Sequence, residues 1–157
     1  MEEHISTSGT WPLSAFRWKT ERFMDRYVEA FRERKILGIK CANCGTVYSP
    51  PALICVKCTT ELRLERDEDW IRMSERGTVL SYTVAYTGVA PGGLKDLSED
   101  ERAIYVLLQL DGADTHMLAQ LEGAGEDEVR VGMRVQAAWA SETKGALSDL
   151  AHFVPAR

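Results

Sequence analysis

The chain has 157 residues, of which 45% are hydrophobic and 27% charged, enough for one packed domain or a small module attached to one. Its net charge of −5 argues against a general nucleic-acid binder, whose affinity comes mainly from neutralising phosphates. No apolar stretch approaches the ~18 residues of a membrane span, and the acidic start at residues 1–4 lacks a signal-peptide pattern. We therefore expect no membrane association and a cytoplasmic location.

The first predicted element is an amphipathic helix over about residues 20–35. Thr20 suits its N-cap, and Gly38 is expected to end it. At 100° per residue, four aromatic residues fall in one arc: Phe16, Phe23, Tyr27 and Phe31. A helix of this length is only marginally stable alone, so this face must be buried. Either the rest of the chain or a partner chain covers it, and these residues are the candidate partner interface.

A basic cluster spans the end of this helix and the start of the next segment. It consists of Arg32, Arg34, Lys35 and Lys40. In an acidic chain it is the best candidate for a local patch that contacts an anion.

All four cysteines of the chain lie in two C-x2-C pairs, Cys41 with Cys44 and Cys55 with Cys58. Each pair lets two thiolates from one turn reach the same ion, so the spacing predicts a tetrahedral four-sulfur site. Such a closed shell is structural, because no coordination position remains for water or substrate. We expect one zinc ion; iron uses the same ligands and stays an alternative, whereas two disulfides or a redox pair fit less well.

The second half of the chain has the pattern of strands. A long alternating strand opens at Gly77, with Leu80, Tyr82, Val84 and Tyr86 predicted on one face. Residues 88–101 are predicted to form a long loop. Strands follow over residues 103–110, 115–121, about 133–139 and 151–154. About five strands separated by glycine turns predict a small closed or partly open barrel.

Catalytic signatures are missing from the sequence. The three histidines, His4, His116 and His152, are not spaced with cysteine or acid as a catalytic set would be, and no phosphate loop or nucleophile elbow occurs. The cysteines are committed to metal, which leaves no free thiol nucleophile. We therefore expect the chain alone not to be an enzyme. The alternative function is a single-stranded nucleic-acid module that stacks bases on Tyr82, Tyr86 and Tyr105.

Several stretches together resemble a known family of zinc-ribbon plus OB-fold proteins, first defined as a domain of unknown function and associated with acyl-CoA. The matching stretches are residues 41–45, 48–51, 55–58, 76–83 and 131–135. The resemblance covers about residues 20–157. Two departures are Ala52, where the family usually has arginine, and Thr59, where glycine or serine is common.

The resemblance implies a mainly β fold: an N-terminal helix, a rubredoxin-like four-cysteine zinc ribbon and a small OB-fold barrel. The corresponding domains would be residues 1–36, 37–62 and 63–157. It further implies a non-catalytic accessory subunit that joins a thiolase-like enzyme in a hetero-oligomer. Such a complex forms or cleaves C–C bonds of acyl-CoA, for example in the degradation of aromatic or steroid-derived compounds. The basic cluster would then contact CoA phosphates.

Overall fold

The computed structural model describes residues 22–90 and 93–156. Helix α1 spans Arg22–Glu29 and continues as a 3-10 helix over Ala30–Glu33. The strands of the described residues are β1 Leu37–Lys40, β2 Val47–Tyr48, β3 Trp70–Arg72, β4 Arg76–Ala85, β5 Thr87–Ala90, β6 Gly93–Asp96, β7 Ala103–Leu110, β8 Met117–Leu121, β9 Arg134–Trp139 and β10 Leu150–Pro155. The predicted fold class, mainly β with a helix, a ribbon and a barrel, is confirmed.

The helix ends earlier than predicted. Arg34 adopts a left-handed conformation (φ 53°), and its N–H donates to the Phe31 carbonyl at 2.9 Å. The prediction that Gly38 ends the helix is wrong, because Gly38 lies inside β1. A Cβ there would lie 2.7 Å from Met73 Sδ and 3.1 Å from the Tyr48 carbonyl oxygen of β2, so the close approach of these residues favours glycine.

The barrel consists of five strands in the closed order β10-β8-β7-β4-β9. Its neighbours pair antiparallel except β10 with β8, which run parallel. The predicted alternation of β7 is confirmed, since Ile104, Val106, Leu108 and Leu110 are all buried. These side chains meet Val79, Val135 and Phe153 in one apolar core.

The strict alternation predicted along the long strand β4 is interrupted before Ser81, although Tyr82 and Val84 do share a face as predicted. The register against β7 shifts between Val79 and Ser81, which marks a β-bulge. Val79 lies opposite Leu108 and Tyr82 lies opposite Val106, and both partners are buried residues of β7. Val79 therefore shares a face with Tyr82, whereas strict alternation predicts that Tyr82 shares a face with Leu80.

The predicted loop at residues 88–101 is instead structured. Strands β5 and β6 pair antiparallel as a separate two-stranded sheet, with Val89 opposite Leu94. The 3-10 helix Glu99–Glu101 then leads into β7.

The ribbon sheet has the order β2-β1-β3 and docks directly onto the barrel. The Val47 N–H donates to Asp114 Oδ2 at 2.8 Å, and the Ser49 N–H donates to Thr115 Oγ1 at 2.9 Å. These bonds connect β2 to the turn between β7 and β8, so the ribbon is fixed relative to the barrel. In the described part of the chain, no helix is long and apolar enough to cross a membrane.

Candidate metal centre

The four cysteine sulfurs converge on one point, all lying within 4.8 Å of one another. Cys41 Sγ lies 3.6 Å from Cys58 Sγ, and Cys44 Sγ lies 3.5 Å from Cys55 Sγ. A tetrahedral ion with Zn–S bonds of about 2.3 Å separates its ligand sulfurs by roughly 3.8 Å. The four cysteines therefore fit one zinc ion, and the predicted metal ligands are placed together.

Two short turns of the same backbone conformation supply the ligands, one from each C-x2-C pair; we call them the first knuckle (41–46) and the second knuckle (55–60). The Gly45 N–H donates to the Cys41 carbonyl at 2.8 Å, and the Thr59 N–H donates to the Cys55 carbonyl at 2.8 Å. Both Gly45 and Thr59 have positive φ, 78° and 56° respectively. The fifth residue of each knuckle therefore has a left-handed backbone conformation. This residue is glycine in the first knuckle (Gly45) and threonine in the second (Thr59).

In each knuckle, a threonine hydroxyl lies beside one of the cysteine sulfurs. Thr46 Oγ1 lies 3.2 Å from Cys44 Sγ, and Thr60 Oγ1 lies 3.3 Å from Cys58 Sγ. The Thr60 hydroxyl, together with Asn43, lowers the pKa of the Cys58 thiol to about 5. Because metal ligands must be deprotonated, these hydrogen bonds favour the state that binds the ion.

Tyr48 is a supporting residue that the sequence analysis missed. Its hydroxyl donates to Cys55 Sγ at 3.2 Å and accepts from the Val56 N–H at 2.9 Å. The side chain is buried, and its hydrogen bond lowers the pKa of Cys55. Outer-shell donors of this kind fix the orientation of metal ligands. The signal was a tyrosine on the return limb of the ribbon, but its target is visible only in three dimensions.

The centre is suited to structure and not to catalysis. Four protein sulfurs complete a tetrahedral shell, so zinc bound here would supply a cross-link between the two knuckles. The cross-link holds β1 and β2 in the geometry that docks on the barrel. Elsewhere in the described residues, no other group of three or more histidine, cysteine or acidic side chains is arranged to hold a metal.

Two of the predicted interface aromatics are buried inside the chain. Tyr27 is 2% exposed and Phe31 is 1% exposed. Their rings meet edge-to-face at 4.9 Å, and Phe31 meets Trp139 of β9 at 5.5 Å. The chain's own barrel thus covers these two rings. Phe16 and the side chain of Phe23 lie outside the described part.

The basic cluster is mostly engaged within the chain. Arg32 pairs with Glu29 at 2.6 Å, Lys35 pairs with Glu33, and Arg34 donates to the Ser141 carbonyl at 3.2 Å. Lys40 is exposed at the end of β1, and within the described residues it has no acidic partner. The structure therefore leaves Lys40 as the available cation of the four.

The remaining candidates do not form a reactive site. His116 is exposed, and His152 Nδ1 lies 3.5 Å from Glu122 Oε2, without a nucleophile in the described surroundings. Of the tyrosines proposed to stack bases, Tyr86 is covered by the Arg102 guanidinium at 4.7 Å and donates to Glu126 at 2.8 Å. An acidic surrounding of this kind disfavours a phosphate backbone.

Two family models match the chain. The ChsH2 rubredoxin-like zinc ribbon domain matches residues 28–63, and the ChsH2 C-terminal OB-fold domain matches residues 70–140. Together they account for well over half of the sequence. The chain belongs to the ChsH2 zinc-ribbon and OB-fold family.

Curated relatives carry names that refer to scaffolds and enzyme subunits. A DUF35 domain-containing scaffold protein of Methanocaldococcus jannaschii is 31% identical over 102 residues, 65% of this chain and 65% of that protein. A probable enoyl-CoA hydratase alpha subunit of Thermomonospora curvata is 26% identical over 113 residues, 72% of this chain and 32% of that protein. The chain thus spans just under two thirds of the first relative and about one third of the second.

A solved structure supports the fold of this family member. The Ltp2-ChsH2(DUF35) aldolase chain matches 90% of this chain and 100% of its own length, with a TM-score of 0.63 and 23% sequence identity. At this identity the match establishes the arrangement of ribbon and barrel.

Proposed function

We propose that this chain is a non-catalytic, zinc-binding accessory subunit of an acyl-CoA-processing complex, where it serves as scaffold for a thiolase-like enzyme subunit. The observation that carries the proposal is the closed four-sulfur centre joined to a barrel. A complete four-sulfur shell leaves no coordination position for substrate. We therefore assign the chain a role in binding other proteins through its surface.

The names of the relatives support a role in assembly. One relative is a scaffold protein and another is a subunit of a probable enoyl-CoA hydratase. The structural neighbour is an aldolase composed of Ltp2 and ChsH2. All three names fit a chain that works beside an enzyme, and two of them refer to enzymes of C–C bond or enoyl-CoA chemistry.

The experiment is co-expression with a thiolase-fold subunit sought among the neighbouring genes, followed by size-exclusion chromatography with light scattering. We expect one hetero-oligomeric peak and acyl-CoA turnover only when the enzyme subunit is present. A chain that stays monomeric beside this subunit, or that turns over acyl-CoA alone, would contradict the proposal. The nucleic-acid alternative predicts instead a salt-sensitive shift of a labelled oligonucleotide.

Contact with CoA is a finer part of this proposal, and we limit it to Lys40. The other three basic residues are engaged in ion pairs or carbonyl contacts of their own chain. Lys40→Gln in the complex is expected to raise the Kd for CoA severalfold, since one exposed phosphate contact is lost. Lys57→Gln on the second knuckle is the matched control. Equal affinities of the two variants and the wild type would remove CoA contact from the proposal.

A further inference from the structure

The β5–β6 hairpin is separate from the rest of the fold. Its two strands, of four residues each, form a sheet of their own beside the barrel. An isolated two-stranded hairpin is marginally stable in water unless it packs against something else. We therefore expect contacts with neighbouring residues or with a partner to stabilise this hairpin.

The base of the hairpin is held firmly. The Leu97 N–H donates to the Tyr86 carbonyl at 2.8 Å, and Lys95 pairs with Glu101 at 2.6 Å. Leu97 also covers the face on which Gly88 lies, because a Cβ at Gly88 would be only 2.9 Å from Leu97 Cδ2. On this face the hairpin is thus covered at Gly88 by Leu97 of its own chain.

The opposite face carries an uncovered apolar pair. Val89 and Leu94 lie directly across from each other, and they are 87% and 77% exposed. Successive residues of a strand point to opposite faces, so these two side chains lie on the side away from Leu97. A cross-strand apolar pair left in water contributes little to folding, but it presents a compact surface for docking.

The surface next to the hairpin is acidic. A cleft of about 460 Å³ lies beside its base, lined by Arg102 and by four carboxylates: Glu99, Asp100, Glu122 and Glu126. Arg102 is itself paired with Glu126 at 3.1 Å. Asp96, on β6, is exposed on the same face as the apolar pair. The charge therefore favours a basic surface on whatever docks here.

We propose that the β5–β6 hairpin is the docking element for the enzyme subunit, which receives Val89 and Leu94 in an apolar socket bordered by lysine or arginine side chains. This proposal rests on the proposed function, because it assigns the site of contact with the same subunit. Apolar anchors at the centre of an interface carry most of its binding energy, and the acidic rim accelerates association.

The test compares the double variant Val89→Thr/Leu94→Thr with Leu118→Thr, in binding to the co-expressed thiolase-fold subunit by surface plasmon resonance. Threonine keeps the β-propensity of the hairpin while it removes apolar contact. Leu118 is 70% exposed on β8, so its variant changes a similar side chain elsewhere. We expect the Kd of the double variant to rise about tenfold or more, and that of Leu118→Thr to change less than twofold.

A second measurement tests the charge of the partner. Glu99→Gln/Asp100→Asn is expected to slow association severalfold at low salt and to match the wild type at high salt, since screening removes long-range attraction. Wild-type affinity of the hairpin double variant would overturn the docking assignment while the accessory function stands. A wild-type chain that binds no such subunit would overturn both. Thermal unfolding of each variant verifies that the fold is intact.

Discussion

The two knuckles of the metal centre have one backbone conformation and two different settings. The first knuckle leads directly into β2, where Val47 and Ser49 bond to the barrel. The second knuckle is instead bonded to the Tyr48 hydroxyl of the ribbon, and its Val56 is 82% exposed. Only the second has a left-handed threonine in place of glycine. The comparison teaches that metal geometry fixes the turn, whereas the neighbouring residues decide what each turn is attached to.

The left-handed conformation of Thr59 shows how strongly the ligands dominate. A non-glycine residue in this region costs about 1–2 kcal/mol, and a β-branched residue is especially unfavourable there. Thr59 follows Cys58 directly, and its hydroxyl donates to the Cys58 carbonyl at 2.7 Å. Binding of a structural zinc is worth on the order of 10 kcal/mol, so the conformational cost is easily outweighed.

Loss of one ligand should have the largest effect and tests whether the knuckles are equivalent. We expect Cys44→Ser and Cys58→Ser each to lose the bound ion and to lower the free energy of unfolding by several kcal/mol, because three sulfurs leave the shell incomplete. Elemental analysis and thermal unfolding measure both effects, and the wild type should contain one zinc and no iron. Full zinc content in either variant would contradict a shared four-sulfur centre.

Removal of the Tyr48 hydroxyl should lower zinc affinity through the second knuckle, because that hydroxyl contacts Cys55 and Val56. Tyr48→Phe leaves Cys55 Sγ and the Val56 N–H without their common partner, so we expect zinc affinity to fall roughly 10- to 100-fold. Competition with a chromogenic chelator measures this affinity. Thr46→Val, which removes the hydroxyl beside Cys44 in the first knuckle, is the matched control and should have a smaller effect. Equal losses would mean that the buried Tyr48 hydroxyl supports the centre no more than the Thr46 hydroxyl does.

Exchange of the left-handed residue should have the smallest effect and opposite signs in the two knuckles. Thr59→Gly is expected to stabilise the zinc-loaded chain by about 1 kcal/mol, since glycine adopts positive φ without steric cost. Gly45→Ala should destabilise it by about 1 kcal/mol, for the same reason in reverse. Urea unfolding at saturating zinc gives both values. A destabilised Thr59→Gly would show that the hydroxyl contact to Cys58 matters more than the backbone strain.

Several elements could be predicted from local spacing. The alternation of β7 identified its buried face correctly, because period two is a local property of a strand. The same reasoning did not fully predict the faces of β4, because the bulge between Val79 and Ser81 appears only in the pairing of β4 with β7. The sequence Pro91-Gly92-Gly93 and several acids predict a loop over residues 88–101, but β5 and β6 pair there as a hairpin that lies outside the barrel core.

Gly38 and Tyr48 likewise show that local patterns do not predict contacts with residues from other segments. A glycine after a helical pattern ordinarily marks the end of the helix, but Gly38 lies within β1, close to Met73 and to the Tyr48 carbonyl oxygen. Tyr48 contacts a cysteine seven residues away, through a turn whose geometry the metal site imposes. In neither case do the neighbouring residues in the sequence identify the contact partner.

The sequence by itself determined the four-sulfur ligand set and the presence of a small barrel, because ligand spacing and strand alternation are encoded within a few neighbouring residues. Only the tertiary structure decided that Phe31 packs against Trp139 of β9, that Tyr48 supports Cys55, and that the hairpin leaves Val89 and Leu94 in solvent. These features depend on which segments, distant in the sequence, pack against each other. Such meetings follow from the packing of the whole chain and not from any local pattern.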